Sequence, residues 1–176
     1  NPERVILMQS LENTMLITDL DGTLLPASKE ISVADAAAIS QFRAKGGKFA
    51  IATGRTLQAA QRYLKKLQPN IPVILFNGAA IYDPVAEKWL YTEELPPEAA
   101  AITRQVLEAF PDVSAEILRT DGTYVSRMTP YEKEHLEICQ VEPILAMPEE
   151  IPHGWLKALF AIAPERMPDL IAYFQE

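Results

Sequence analysis

The sequence is poor in the residues that staple a chain or ligate a metal. Its single cysteine, Cys139, excludes an internal disulfide and fits a reducing compartment. It reads as a small, half-buried apolar side chain. The two histidines, His135 and His153, stand in no Cys or carboxylate pattern of a zinc site and read as surface or structural residues. No apolar run approaches the roughly 18 residues that span a bilayer, and the opening Asn1-Pro2-Glu3-Arg4 lacks a signal-peptide pattern. Positive charge is short as well. Lys and Arg number 16 against 24 Asp and Glu, a net charge of −8 with a pI near 4.9. That balance argues against a nucleic-acid partner, because phosphate backbones attract basic surfaces. An anionic ligand would have to be held by local donors and a metal rather than by the global field. The expectation is a cytoplasmic protein without membrane or nucleic-acid partners.

What is present is ordinary globular material, 48% hydrophobic and 23% charged over 176 residues, enough for one domain or two small ones. The densest signal is Leu16-Ile17-Thr18-Asp19-Leu20-Asp21-Gly22-Thr23-Leu24-Leu25. Met15 to Thr18 reads as a buried strand and Gly22 as the turn that ends it. Alternate strand residues point the same way, so Asp19 and Asp21 would project together past the strand end, where open α/β sheets bind ligands. Two carboxylates so close need a cation or a shared proton. Mg²⁺ suits them, as a hard ion that takes one or two carboxylates together with substrate phosphate.

Two further segments follow apolar runs: Ile51-Ala52-Thr53-Gly54-Arg55, and Phe76-Asn77-Gly78-Ala79 after Val73-Ile74-Leu75. Each motif alone has a bland reading. Asp-x-Asp-Gly is an acidic turn or calcium loop, although an EF-hand fails for want of the bidentate Glu and a preceding helix. Thr53 reads as a helix N-cap and Asn77-Gly78 as a hairpin turn. In order, however, the three resemble the haloacid dehalogenase-like superfamily of phosphotransferases, and Asn77-Gly78-Ala79 is similar to its Cof-like sugar-phosphatase branch, whose members carry a large α/β cap at this point.

The resemblance implies Asp19 as the nucleophile that forms an aspartyl-phosphate and Asp21 as the general acid/base. It implies Mg²⁺ at Asp19 and at Asp21, the latter through its main-chain carbonyl. The Thr53 hydroxyl and the Gly54 amide would bind the transferring phosphoryl group at a helix N-terminus. Arg55 adds charge or contacts substrate, with an ion pair across the site mouth as the alternative. Asn77 orients phosphate or substrate. The implied activity is Mg²⁺-dependent hydrolysis of small phosphorylated metabolites such as sugar phosphates. The rivals are a phosphomutase of the phosphomannomutase type and a non-catalytic phosphate-binding module. Asp121, Tyr124 and Arg127 in the cap read first as solvated hairpin positions and second as leaving-group contacts.

The order of elements predicts an α/β fold: a doubly wound, parallel, Rossmann-like core with an inserted α+β cap. Strands are expected at 15–18, 48–52 and 73–76, and helices from Ser32, as N-cap, to about Lys45 and from Thr56 to Leu67. In the cap, hairpins are expected at 80–91 and 113–126, helices at 97–110, 131–139 and 164–175, and a strand at 155–163. The division expected is 1–13 as an extension of unknown role, 14–82 as the first part of the core, and 83–176 as cap. Val5-Ile6-Leu7-Met8 suggests a short strand or helical turn within that extension. The family's lysine and its Gly-Asp-x-x-x-Asp segment are missing. Lys157 reads as a cap strand residue and Asp169 as a helix residue, so neither substitutes. The expectation is therefore a truncated chain with little turnover by itself. Oligomeric state stays open.

Overall fold

The computed structural model describes residues 10–175, so the reading of 5–8 lies outside the described residues. The chain divides into two compact units. The first comprises Asn1–Arg55 and Ala60–Thr92, and the second Thr56–Ala59 and Glu93–Glu176.

In the first unit, β1 (Met15–Thr18) and β2 (Lys48–Ile51) pair in parallel, with Met15 opposite Lys48 and Thr18 opposite Ile51. The link between them is α1 (Val33–Ala44), a right-length crossover for parallel strands. Its start is chemically specified. The Ser32 side chain accepts from the Asp35 N–H at 3.0 Å, and Asp35 places negative charge in the first turn. It stops at Gly46, whose φ of +88° ends the turn where an L side chain would be strained. β3 (Val73–Leu75) continues the parallel order only at one bridge, Ala52 to Ile74. Its main partner is β4 (Ala80–Asp83), which pairs antiparallel with β3 and with β5 (Lys88–Thr92). This hairpin, expected in the cap, stays hydrogen-bonded to β3, so the first unit runs to Thr92 rather than to residue 82.

Burial follows the apolar pattern on β2 and β3, where Phe49, Ile51, Val73 and Leu75 are fully buried. It fails on β1. Met15, Leu16 and Ile17 are 57%, 41% and 46% exposed, which corrects the expectation of a buried strand. Among the described residues β1 pairs on one side only, with β2.

The second unit holds α3 (Glu98–Ala109), β6 (Ser114–Leu118), β7 (Thr123–Val125), α4 (Pro130–Cys139), β8 (Pro143–Leu145), β9 (Lys157–Ala161) and α5 (Met167–Tyr173). Its four strands lie in the order β8-β7-β6-β9, antiparallel except for β7 with β8. α2 (Leu57–Leu67) begins in this unit and continues in the first. Residues alternate across β6. Ala115 packs with Val106, Leu107, Phe110 and Leu170, and Ile117 with Ile151 and Trp155. The other face of β6 carries Ser114 and Glu116, both buried. α4 is capped by Thr129, which accepts from the Glu132 N–H at 3.2 Å.

Candidate active site

The ladder ends at Thr18, and the next seven residues close on themselves. Leu25 N–H donates to the Leu20 carbonyl at 2.7 Å and Gly22 N–H to the Leu25 carbonyl at 3.2 Å. Leu20 and Leu25 are buried, so the turn is anchored by its apolar residues while its acids face outward. Gly22 has a φ of +75° and open space where a Cβ would sit. Only backbone conformation calls for glycine there.

Asp19 is exposed, and its Oδ1 accepts from the Leu20 N–H at 2.7 Å. Asp21 is gripped by two cations. Arg55 donates from Nε to Oδ2 at 2.7 Å and from Nη2 to Oδ1 at 2.9 Å, a bidentate geometry. Lys29 donates from Nζ to the same Oδ1 at 2.8 Å. The Arg55 guanidinium, followed by Lys29, holds the Asp21 carboxyl well below the usual carboxylate range, against an opposing effect of burial. Arg55 is itself buried and stacks over the Tyr63 ring, 5.2 Å from its centroid. Asp19, Asp21, Lys29 and Arg55 sum to zero charge, a neutral site on a chain of net charge −8.

Thr53 follows β2 and is buried. Its N–H donates to the Ile74 carbonyl at 3.0 Å, and its hydroxyl oxygen accepts from the Arg55 N–H at 3.3 Å. That leaves the hydroxyl proton to be given elsewhere. The expected helix N-terminus at Thr53 and Gly54 is corrected. α2 starts at Leu57, and the N-cap is Thr56, which accepts from the Ala59 N–H at 3.1 Å. Thr53 and Gly54 therefore lie in the loop before the cap. Asn77 is exposed, with φ 57° and ψ 29°, and its N–H donates to the Thr53 carbonyl at 3.2 Å. Parallel register thus sets the loops after β1 and β2 side by side, and the Asn77 bond ties the loop after β3 to them.

Among the described residues no three His, Cys, Asp or Glu gather as a metal site. Mg²⁺ needs fewer, one or two carboxylates with substrate oxygens. The exposed Asp19 carboxylate fits that requirement. The Asp21 carboxylate is committed to two cations. Lys29 and Tyr63 were not singled out in the sequence. A lysine in the polar run Ala27-Ser28-Lys29-Glu30 carries no signal of its partner.

In the second unit, Asp121 is held by Arg119 at 2.8 and 2.9 Å, and Tyr124 lies 3.5 Å from Asp121. Arg127 donates to the carbonyls of Leu107, Phe110 and Val113, a structural role at the end of α3. His135 is half-buried, 3.3 Å from Glu116. Lys157 lies in β9 and Asp169 in α5.

Residues 16–175 match the family described as haloacid dehalogenase-like hydrolase. A putative phosphatase of Mycoplasma pneumoniae is 36% identical over 92 residues, 52% of this chain and 33% of its own length. The 5-amino-6-(5-phospho-D-ribitylamino)uracil phosphatase YitU of Bacillus subtilis is 30% identical over 125 residues, 69% of this chain and 44% of its own. A haloacid dehalogenase-like hydrolase from Bacteroides thetaiotaomicron superposes with a TM-score of 0.82 at 17% identity, over 92% of this chain and 62% of that one. This last likeness shows the fold. The chain spans less than half the length of these two curated relatives.

Proposed function

The chain belongs to the haloacid dehalogenase-like hydrolases, in their Cof-like branch, and from that premise we propose that the whole protein is a phosphomonoesterase acting on small phosphorylated metabolites such as sugar phosphates. The observation that supports this reading is that the loop with Asp19 and Asp21 and the loop with Thr53 and Arg55 leave parallel strands in register, with Arg55 donating to Asp21. Support comes from the phosphatases among its relatives.

In this reading the Asp19 carboxylate attacks phosphorus as the bond to the leaving oxygen breaks, giving an aspartyl-phosphate. Asp21 gives the leaving oxygen its proton. It then takes a proton from the water that hydrolyses the intermediate, releasing inorganic phosphate and restoring Asp19. Paired as it is with Arg55 and Lys29, Asp21 is held ionised, the form in which it enters the second half-reaction, and it becomes an effective base as that pairing loosens. The first half requires that pairing to loosen when the phosphoryl group arrives. The Thr53 hydroxyl and Gly54 amide hold phosphoryl oxygens, and the Asn77 amide orients the substrate. Mg²⁺, held by Asp19 and the Asp21 carbonyl, supplies positive charge for the phosphoryl oxygens when bound. The family's lysine and second acidic segment are assigned to a further stretch of polypeptide. The exposed apolar side chains of β1 and the partial span of the relatives support that assignment.

The test is phosphate release from p-nitrophenyl phosphate and a panel of hexose phosphates by the protein of full family length, with and without Mg²⁺. Asp19→Asn should remove at least a thousandfold of the rate, and hydroxylamine should trap the acyl-phosphate of the parent. Undiminished release by Asp19→Asn refutes the reading. Isomerised hexose phosphate without free phosphate favours the phosphomutase.

A further inference from the structure

We propose that Lys29 is a positioning residue of this site, clamping the Asp21 carboxylate together with Arg55 and presenting a second positive charge to an incoming phosphate. The proposal rests on the phosphatase reading for the phosphate, and on the structure alone for the clamp.

Exposed lysine pairs are usually worth little, because a long side chain must be ordered in high dielectric. Lys29 differs in how its backbone is held. Its φ is +57°, a conformation uncommon for a side-chain-bearing residue and kept only where surroundings dictate it. Its N–H donates to the Pro26 carbonyl at 2.9 Å, and its carbonyl accepts from the Tyr63 hydroxyl at 3.1 Å. Two residues on, the Ile31 carbonyl accepts from Lys66 Nζ at 2.9 Å, and the Ile31 side chain is buried. The loop is therefore pinned to α2 twice.

Tyr63 serves both halves of the clamp. It is 3% exposed, its hydroxyl holds the backbone of Lys29, and its ring underlies the guanidinium of Arg55. Among the described residues, Oδ1 of Asp21 receives both cations and Oδ2 the Arg55 Nε. Removing Lys29 leaves Oδ1 with the Arg55 Nη2 contact and turns a neutral site into one of charge −1. A phosphate dianion approaching within ~6 Å at an effective dielectric near 40 then loses attraction equivalent to about a hundredfold in affinity, or about tenfold after screening.

Inorganic phosphate binding in the presence of Mg²⁺, measured by calorimetry on the full-length protein, reads the charge. Lys29→Met should weaken it about tenfold and Lys29→Arg should restore it. Lys65→Met, the same charge change at an exposed position of α2, should alter it less than twofold. Tyr63→Phe keeps the ring, removes the tie to the loop and should give an intermediate loss. An effect of Lys29→Met no larger than that of Lys65→Met overturns the proposal. If Lys29→Met fails to fold, an unchanged affinity in Tyr63→Phe overturns it instead.

The clamp itself is read without phosphate. The Lys29 ammonium should give a slowly exchanging ¹H–¹⁵N signal that disappears in Asp21→Asn. Its absence from the parent sinks the clamp. A parent that shows the signal but binds no phosphate sinks the phosphatase reading and the second half of this proposal, and leaves the clamp standing.

Discussion

Arg55 and Asp21, 34 positions apart in the chain, meet in a two-point contact of 2.7 and 2.9 Å at the end of two parallel strands. The sequence offered an ion pair as the alternative role of Arg55 without naming its partner, and the contact sets the charge state of the residue proposed as acid and base. A depressed carboxyl contributes stability above its unfolded value, near 3.8, and loses it as pH falls toward the folded value. Arg55→Ala should therefore flatten the acid limb below about pH 4, with the urea midpoint as readout. Hydrogen bonds to a charged group are worth roughly 1.5–3 kcal/mol, and the loss should sit at the low end because Asp21 keeps 39% of its side-chain exposure. An acid limb as steep as the parent's would show that Arg55 does not hold Asp21 in solution.

Asn77 combines a left-handed backbone with a proposed substrate contact, and the two roles separate by substitution. Glycine accepts φ 57° without strain, so Asn77→Gly should leave thermal stability within about 0.5 kcal/mol. Asn77→Ala should lose about 1 kcal/mol, because alanine lacks the short polar side chain that makes asparagine tolerant of that conformation. If the amide orients substrate, both variants release phosphate several-fold more slowly. A fully active Asn77→Gly would assign the residue to the turn alone.

Much of this layout was legible because it is written locally. Ser32 with Asp35, and Gly46 with Gly47, bracket α1 in any context. Asp19, Asp21, Thr53 and Asn77 were visible because each follows an apolar run. Features that depend on a distant partner were hidden. The run Met15-Leu16-Ile17 reads as buried, yet burial requires layers on both faces, and β1 is largely exposed. β8 was missed because it is three residues long, begins with Pro143 and joins β7 only by long-range pairing. Lys29 was missed because nothing near it in sequence distinguishes it from a solvated lysine.

Arg127, read from sequence as a hairpin residue, closes the end of α3. It donates to Leu107 at 3.2 Å, a last-turn carbonyl that the helix cannot satisfy itself, and to Phe110 at 3.0 Å and Val113 at 2.8 Å in the turn that follows. Arg127→Met should cost about 2–3 kcal/mol of stability. Arg127→Lys should recover little, since a single ammonium cannot fork across three acceptors. Thermal unfolding checks both, and an unchanged melting temperature in Arg127→Met would mean water replaces the guanidinium at no cost.

The second unit carries a buried acid, Glu132, whose titration should be visible in its stability. Glu132 is 1% exposed on α4 and faces Glu116 of β6, with Ser114 beside them, His135 on α4 and Lys157 on β9. Burial, reinforced by Glu116, raises the Glu132 carboxyl from 4.5 to about 7. Between those values the folded chain keeps a proton that the unfolded chain has released, so stability falls as pH rises and is level above. His135 works in a later window. The Cys139 sulfur 3.7 Å away, and then Glu116, raise it from 6.5 to about 10, so its stabilisation is complete below 6.5 and drains as pH climbs past it. The urea midpoint of the parent should drop from pH 5 to 7 and again from 7 to 9. Glu132→Gln should abolish the first drop and keep the second, and His135→Gln should do the reverse. A Glu132→Gln variant that declines between pH 5 and 7 as the parent does would place the retained proton on some other group.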